Sequence, residues 1–155
     1  MLDQYDRAIL NEVQENGKIT VKDLSEKINL SPTPTFERLK KLEKEGFIIG
    51  YHAKLNQKKI GLSLIVMCNV SLKSHQQDFI EKFQEEIIRF EEVKECYHIA
   101  GMYDYLLKVV VKDMEAYQYF VSKKLASLEN IGNVQSSFVM TVLKENAILN
   151  VQSGF

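Results

Sequence analysis

Apolar residues in the first sixty positions fall into three short stripes at helical spacing, separated by polar breaks. From position 63 onward the pattern switches between period two and a period of three to four. Asp3 is placed to cap a helix whose apolar positions are Ile9, Leu10 and Val13, and Asn16-Gly17 ends it, with Gly17 expected in the left-handed conformation. Thr20-Val-Lys-Asp23 is a variant of the capping box and opens a second helix with Leu24 and Ile28 as its stripe. Asn29-Leu30 gives a short break. Ser31 then caps a third helix with Pro32 at its first position, where no amide donor is missed. Phe36, Leu39 and Leu42 are expected on its inward face, and Gly46 stops it. Three helices with a very short turn between the last two predict a helix-turn-helix unit, its motif at about 20–44.

Phe47 to Leu55 reads as a strand that leads out of this unit, as in a winged variant, with a linker over 47–56. Residues 63–72 alternate as a strand, with Leu64, Val66, Cys68, Val70 and Leu72 on one face. Ser74 is expected to cap a helix carrying Phe79, Ile80, Phe83, Ile87 and Ile88. Strands follow at about 93–100 and 103–112, joined at Gly101-Met102. Asp113 caps a helix with Met114, Tyr117, Val121, Leu125 and Leu128, Gly132 breaks it, and Val134 to Lys144 reads as the last strand. The order βαββαβ predicts a ferredoxin-like sandwich. The chain is thus expected to be α+β, with a helix-turn-helix domain over 1–60 and a sandwich over 61–155. Both faces of its strands carry apolar residues, Ile65, Met67, Val139 and Leu143 on the second. Two helices cover one face only, so a dimer packed sheet against sheet is expected.

Composition adds little until it is divided. The 155 residues are 45% hydrophobic and 26% charged, with a formal net charge of -1, values of a folded protein rather than a strongly basic nucleic-acid binder. The longest apolar run, Leu64 to Cys68, is far too short to span a membrane. The chain opens on no secretory signal, and two cysteines without one point to reduced thiols in a cytoplasm. Residues 1–60 hold eleven Lys and Arg against nine Asp and Glu, while residues 61–155 hold nine against twelve. Within 31–60 the ratio is seven to three, which marks a candidate contact surface.

That surface coincides with the third helix. Thr33, Pro34, Glu37, Lys41 and Lys44 lie opposite the Phe36/Leu39/Leu42 stripe on a helical wheel, with Arg38 on the flank. Helices that enter the major groove present short polar side chains at their start and basic ones further along. Thr33 and Thr35 could touch base edges or thymine methyls, Arg38 and Lys41 could read guanine or hold phosphate, and amides near Ser31 could receive phosphate. In the second half, amides around Gly101 could receive a carboxylate and Asp104 an ammonium.

These residues carry a resemblance to the Lrp/AsnC family of bacterial transcription regulators. It rests on Leu2-Asp3-x-x-Asp6-x-x-Ile9-Leu10, on Leu30-Ser-Pro-Thr-Pro-Thr-Phe-Glu-Arg38 and on Lys41-Leu42-Glu43-x-x-Gly46-Phe-Ile48. It continues through Glu95-Cys96-Tyr97-His98 and Gly101-Met-Tyr-Asp104-Tyr-Leu-Leu-Lys108, and so covers nearly the whole chain. The resemblance implies promoter DNA bound through Ser31, Thr33, Pro34, Thr35, Arg38, Lys41 and Lys44. It also implies an amino-acid effector beside Ala100, Gly101, Met102, Tyr103 and Asp104, and dimers that assemble into octamers. The likeness across Gly101 to Lys108 is to the leucine-responsive branch, so leucine or methionine is the first expectation. Met102 stands where the family often has an acidic residue.

Other chemistry has weak support. Cys96-x-His98 offers two metal ligands on one strand face, without a second cluster at zinc-like spacing. No catalytic residue, metal or other cofactor is expected. In a 4-1-3-2 sheet Cys68 and Cys96 sit two strands apart, too far for a disulfide. Sirohaem decarboxylases share the two-domain architecture and form the alternative reading. The basic residues here cluster on the third helix rather than around a sheet cleft, which favours DNA.

Overall fold

A computed structural model describes residues 1–145 and 148–152. The chain forms two compact units, one of residues 1–54 together with the segment from 144 onward, the other of residues 55–143. The division expected at 60/61 thus falls six residues earlier, and the described residues 144–145 and 148–152 belong to the first unit. Residues 146–147 and 153–155, which the expected second domain includes, lie outside the described residues.

The first unit is built from α1 (Gln4–Glu15), α2 (Val21–Lys27) and α3 (Pro32–Lys44). Asp3 caps α1 through a reciprocal box with Asp6: its carboxylate accepts from the amides of Tyr5 and Asp6, and Asp6 accepts from the Asp3 amide. Thr20 caps α2 by accepting from the Asp23 amide. Ile9, Leu10, Val13, Leu24, Ile28 and Leu42 form the shared core, as their spacing predicts. Asn29 takes the turn between α2 and α3 at φ 53°, whereas Gly17 does not have the positive φ expected of it.

Two further expectations fail in this unit. Phe36 is 47% exposed, and Thr35 occupies the inward position instead, fully buried. Thr35 lies four and seven residues before Leu39 and Leu42, within about 40° of their direction on a 100° wheel, whereas Phe36 is displaced by more. The strand expected over 47–55 does not form. The amides of Phe47 and Ile48 both turn back to the Leu42 carbonyl to close the end of α3 around Gly46, at φ 77°, and the residues that follow have no ladder partner among the described residues.

The second unit contains β1 (Leu64–Leu72), α4 (Gln77–Ile87), β2 (Val93–His98), β3 (Tyr105–Val111), α5 (Met114–Tyr119) and β4 (Ile131–Phe138). The strands form one antiparallel sheet in the order β2-β3-β1-β4, the expected ferredoxin-like arrangement. β4 is shorter than the predicted 134–144 and begins three residues earlier. The capping residue of α4 is Gln76 rather than Ser74.

One face of the sheet makes the core. Val66, Cys68, Val70 and Leu72 of β1 pack with Tyr105, Leu107, Val109 and Val111 of β3, under Phe83 and Ile87 of α4. The predicted continuous helix over 114–128 is instead three tightly joined pieces, α5, a π-helical turn over Phe120–Lys124 and a 3₁₀ turn over Leu125–Ser127. The buried residues explain the change of pitch. Tyr117, Phe120, Leu125 and Leu128 face the core, and the five-residue step from Phe120 to Leu125 stays on one face only if that turn is widened. Val121 is correspondingly only partly buried.

The opposite face is more polar than alternation suggested. Ile65, Met67 and Leu106 lie beside Glu95, Tyr97 and Lys108, where the Lys108 ammonium and the Tyr97 hydroxyl both donate to Glu95, at 2.9 and 2.7 Å. Cys68 and Cys96 are free thiols on strands separated by β3, and burial pushes both up from the ordinary thiol range.

Candidate functional site

The start of α3 is shaped by its two prolines. Pro32 and Pro34 have no amide hydrogen, and the Thr35 amide bonds the Ser31 carbonyl at 3.3 Å, so the first turn offers a phosphate only the amides of Ser31 and Thr33. The Thr35 hydroxyl donates to the same Ser31 carbonyl at 2.9 Å. Buried and engaged there, Thr35 shapes the turn and does not reach a base edge, which corrects its expected role. Ser31 and Thr33 are exposed and Pro34 is half-buried.

Arg38 is also committed inward. Its Nη1 donates to Asp3 at 2.5 Å and to Asp6 at 2.7 Å, and its guanidinium lies 5.5 Å from the centre of the Tyr5 ring. These carboxylates raise the Arg38 pKa further, with Asp6 the larger influence. The Asp3 carboxyl is held below its ordinary range, first by the Asp6 amide and then by Arg38. Arg38 therefore joins α3 to α1, and only a part of its guanidinium remains for any other contact.

The exposed edge of α3 carries Thr33, Phe36, Glu37, Lys40, Lys41 and Lys44. Lys40 pairs with Glu43 at 2.7 Å and lies 5.8 Å from the Phe36 ring, while Lys41 and Lys44 have no ion-pair partner among the described residues. Phe36 and Lys40 were not among the expected site residues. The spacing of Thr35 to Leu39 and Leu42 was the available signal for Phe36, but an aromatic residue is the more natural choice for a core position.

In the second unit the hairpin between β2 and β3 presents Ala100, Gly101, Met102, Tyr103 and Asp104 together. Ala100, Gly101 and Met102 are exposed, and the amides of residues 100–103 have no backbone acceptor among the described residues. The turn is closed by the Ile99 amide donating to the Asp104 carbonyl at 2.8 Å. Asp104 anchors it to β1: one carboxylate oxygen accepts the Leu72 amide at 2.7 Å and the other faces His75 Nε2 at 2.8 Å. The Leu72 amide, followed by His75, holds this carboxyl below the usual range. The Tyr103 hydroxyl donates to Gln135 of β4 at 2.6 Å. His75 and Gln135 are thus added to the expected group. They are 29 and 32 residues from their partners and meet them only through the sheet order.

A helix-turn-helix with a basic exposed edge, followed by a ferredoxin-like unit with an anchored polar turn, defines a two-unit DNA-binding regulator. Residues 2–49 match the family described as winged helix-turn-helix DNA-binding, and residues 65–149 match the Lrp/AsnC ligand binding domain. The chain belongs to the Lrp/AsnC family of transcription regulators. It is 38% identical over 152 residues to leucine-responsive regulatory proteins of Klebsiella pneumoniae and Escherichia coli, covering 98% of this chain and 93% of each relative. A transcriptional regulator from Neisseria meningitidis, solved in complex with L-methionine, superposes with a TM-score of 0.92 at 37% identity, over 96% of both chains. An AsnC family regulator from Agrobacterium tumefaciens gives 0.91 at 36% identity, again over 96% of both. No helix among the described residues is long and apolar enough to cross a membrane.

Proposed function

We propose that this regulator binds promoter DNA through the exposed edge of α3 and that an apolar amino acid, leucine or methionine, controls it from the 100–104 turn. The observation that carries the effector half is the pairing of unbonded amides over 100–103 with an ionised carboxylate at Asp104. Amides without a backbone acceptor suit a carboxylate, and Asp104 suits an ammonium, which takes the place of His75 at the Oδ1 oxygen. Met102 and Tyr103 stand beside the apolar side chain. Relatives named for leucine and a structural neighbour holding L-methionine both support an apolar effector.

Ser31, Thr33, Lys41 and Lys44 form the DNA-facing set, with Pro34 shaping the turn and Arg38 contributing from the flank. Domains of about 1–54 and 55–143 carry the two roles, in a cytoplasmic protein. The second sheet face, with Ile65, Met67 and Leu106 around the Glu95–Lys108 pair, packs against a second copy, and dimers assemble further toward an octamer. Two α3 helices then enter successive major grooves about one turn apart. An effector shifts DNA affinity only as far as it binds one assembly or geometry better than another.

Calorimetric titration of the purified protein with each of the twenty amino acids tests the effector assignment. Heat from leucine or methionine is expected, and twenty flat traces overturn it.

A further inference from the structure

Residues 149–151 lie along α1, and two side-chain amides read their backbone. Asn11 Nδ2 donates to the Val151 carbonyl at 3.4 Å, while Asn11 Oδ1 accepts the Val151 amide at 3.1 Å. One turn further on, Gln14 Nε2 donates to the Leu149 carbonyl at 2.9 Å and Gln14 Oε1 accepts the Leu149 amide at 2.7 Å. A carboxamide carries the donor and the acceptor of a peptide group, so each pair forms the two-point contact that a neighbouring strand would offer. Residue numbers rise on α1 as they fall on the segment, so the two run antiparallel.

The spacing suits an extended occupant. Three residues of helix advance about 4.5 Å and two residues of extended chain about 6.6 Å, a difference that the longer Gln side chain can take up. Beside the amides is a cavity of about 550 Å³ lined by Leu10, Val13, Ile48 and Tyr51 together with Leu149 and Val151. Val151 packs against the core shared by the three helices.

We propose that Asn11, Gln14 and the adjoining apolar cavity form a docking site for an extended segment, that residues 148–152 of the same chain occupy it, and that occupancy raises the DNA affinity of the first unit. The link to DNA runs through α1. Its first turn holds Arg38 of α3 through Asp3 and Asp6, and its second half is what the segment covers. The segment follows directly on the second unit in the chain, so it is a second covalent connection between the units, beside the one at 54/55. The docking itself is independent of the proposed function, while its effect on DNA rests on that reading.

Hydrogen exchange and DNA binding on the full chain test this together. One variant combines Asn11→Ala with Gln14→Ala. The other combines Leu149→Pro with Val151→Pro, which removes both amide donors and leaves α1 intact should the first variant fail to fold. Both are expected to raise exchange across 148–152 and to weaken binding to a mixed-sequence 60-bp duplex at low salt by about threefold to tenfold. Unchanged exchange overturns the docking site. Faster exchange with unchanged DNA affinity overturns the control. Protection that grows with protein concentration assigns the occupant to a second copy and overturns the assignment to the same chain. If the unaltered protein binds no duplex, the DNA-reading assignment itself fails, a result visible before any variant is compared.

Discussion

Arg38 of α3 meets Asp6 of α1 at 2.7 Å, and the Asp6 side chain is only 4% exposed. Asp6 also closes the capping box by accepting the Asp3 amide. One arginine thus ties the cap of the first helix to the middle of the third, and the orientation of the exposed edge of α3 depends on an ion pair behind it.

Replacing Arg38 with Ala strands a buried carboxylate. Removing one partner of a fully buried pair costs 3–5 kcal/mol, and the partial exposure of Arg38 reduces this to about 2–3 kcal/mol. Urea denaturation should show that loss, and Arg38→Lys should recover part of it. An unchanged midpoint would mean that Arg38 faces outward. The Asp3 cap has a pH signature as well. The Asp3 carboxyl is depressed in the folded state, so its contribution is present above the unfolded value near 3.9 and is lost as pH falls through the lower folded value.

Lys41 and Lys44 are exposed and have no ion-pair partner among the described residues, so their replacement should leave stability within about 0.5 kcal/mol. Each Lys→Ala change should instead weaken DNA binding across sequences and lower the dependence of log affinity on log salt by about one. Fluorescence anisotropy at several salt concentrations measures both. An unaltered slope in the double variant would place the DNA on another surface.

Phe36 gives the sharpest contrast between a core residue and a contact residue. Exposed as it is, Phe36→Ala should change stability by about 0.5 kcal/mol or less, whereas Leu42→Ala should cost about 2–5 kcal/mol. On the proposed docking of α3 the exposed ring meets a thymine methyl, and its loss should weaken binding to a T-containing site by about 1 kcal/mol. A large stability loss at Phe36 would put the ring back in the core.

Capping residues and apolar spacing made most of the fold legible. Asp3, Thr20 and Asp113 each cap the helix they were expected to cap, and the βαββαβ order leads to the observed sheet. What was hidden depends on competition between neighbours. Thr35 or Phe36 could each face inward, and the three-helix core admits the smaller residue. Phe47 and Ile48 suit a strand, but their amides are taken by the end of α3. The spacing of Phe120 and Leu125 looks irregular until a widened turn accommodates it. Of the 100–104 turn, Asp104 was legible through its motif. His75, the partner of Asp104, and Gln135, the partner of Tyr103, were not, because no local pattern brings a residue to a turn about thirty positions away.

Asp104 does two things, and they can be separated. It holds the turn through the Leu72 amide at 2.7 Å, and it presents negative charge where an ammonium would bind. Asp104→Asn keeps an oxygen for the Leu72 amide and removes the charge, while Asp104→Ala removes both. A hydrogen bond to a charged group contributes about 1.5–3 kcal/mol, so the Asn variant should bind leucine or methionine at least about tenfold more weakly while melting close to the unaltered protein. The Ala variant should lose both binding and some stability. Because the Asp104 carboxyl is held below its ordinary range, effector affinity should persist through mild acid and fall only below the usual carboxylate range. Calorimetry across pH reads this directly. Binding by the Asn variant at full strength would show that Asp104 serves the turn alone, leaving the ammonium to another group.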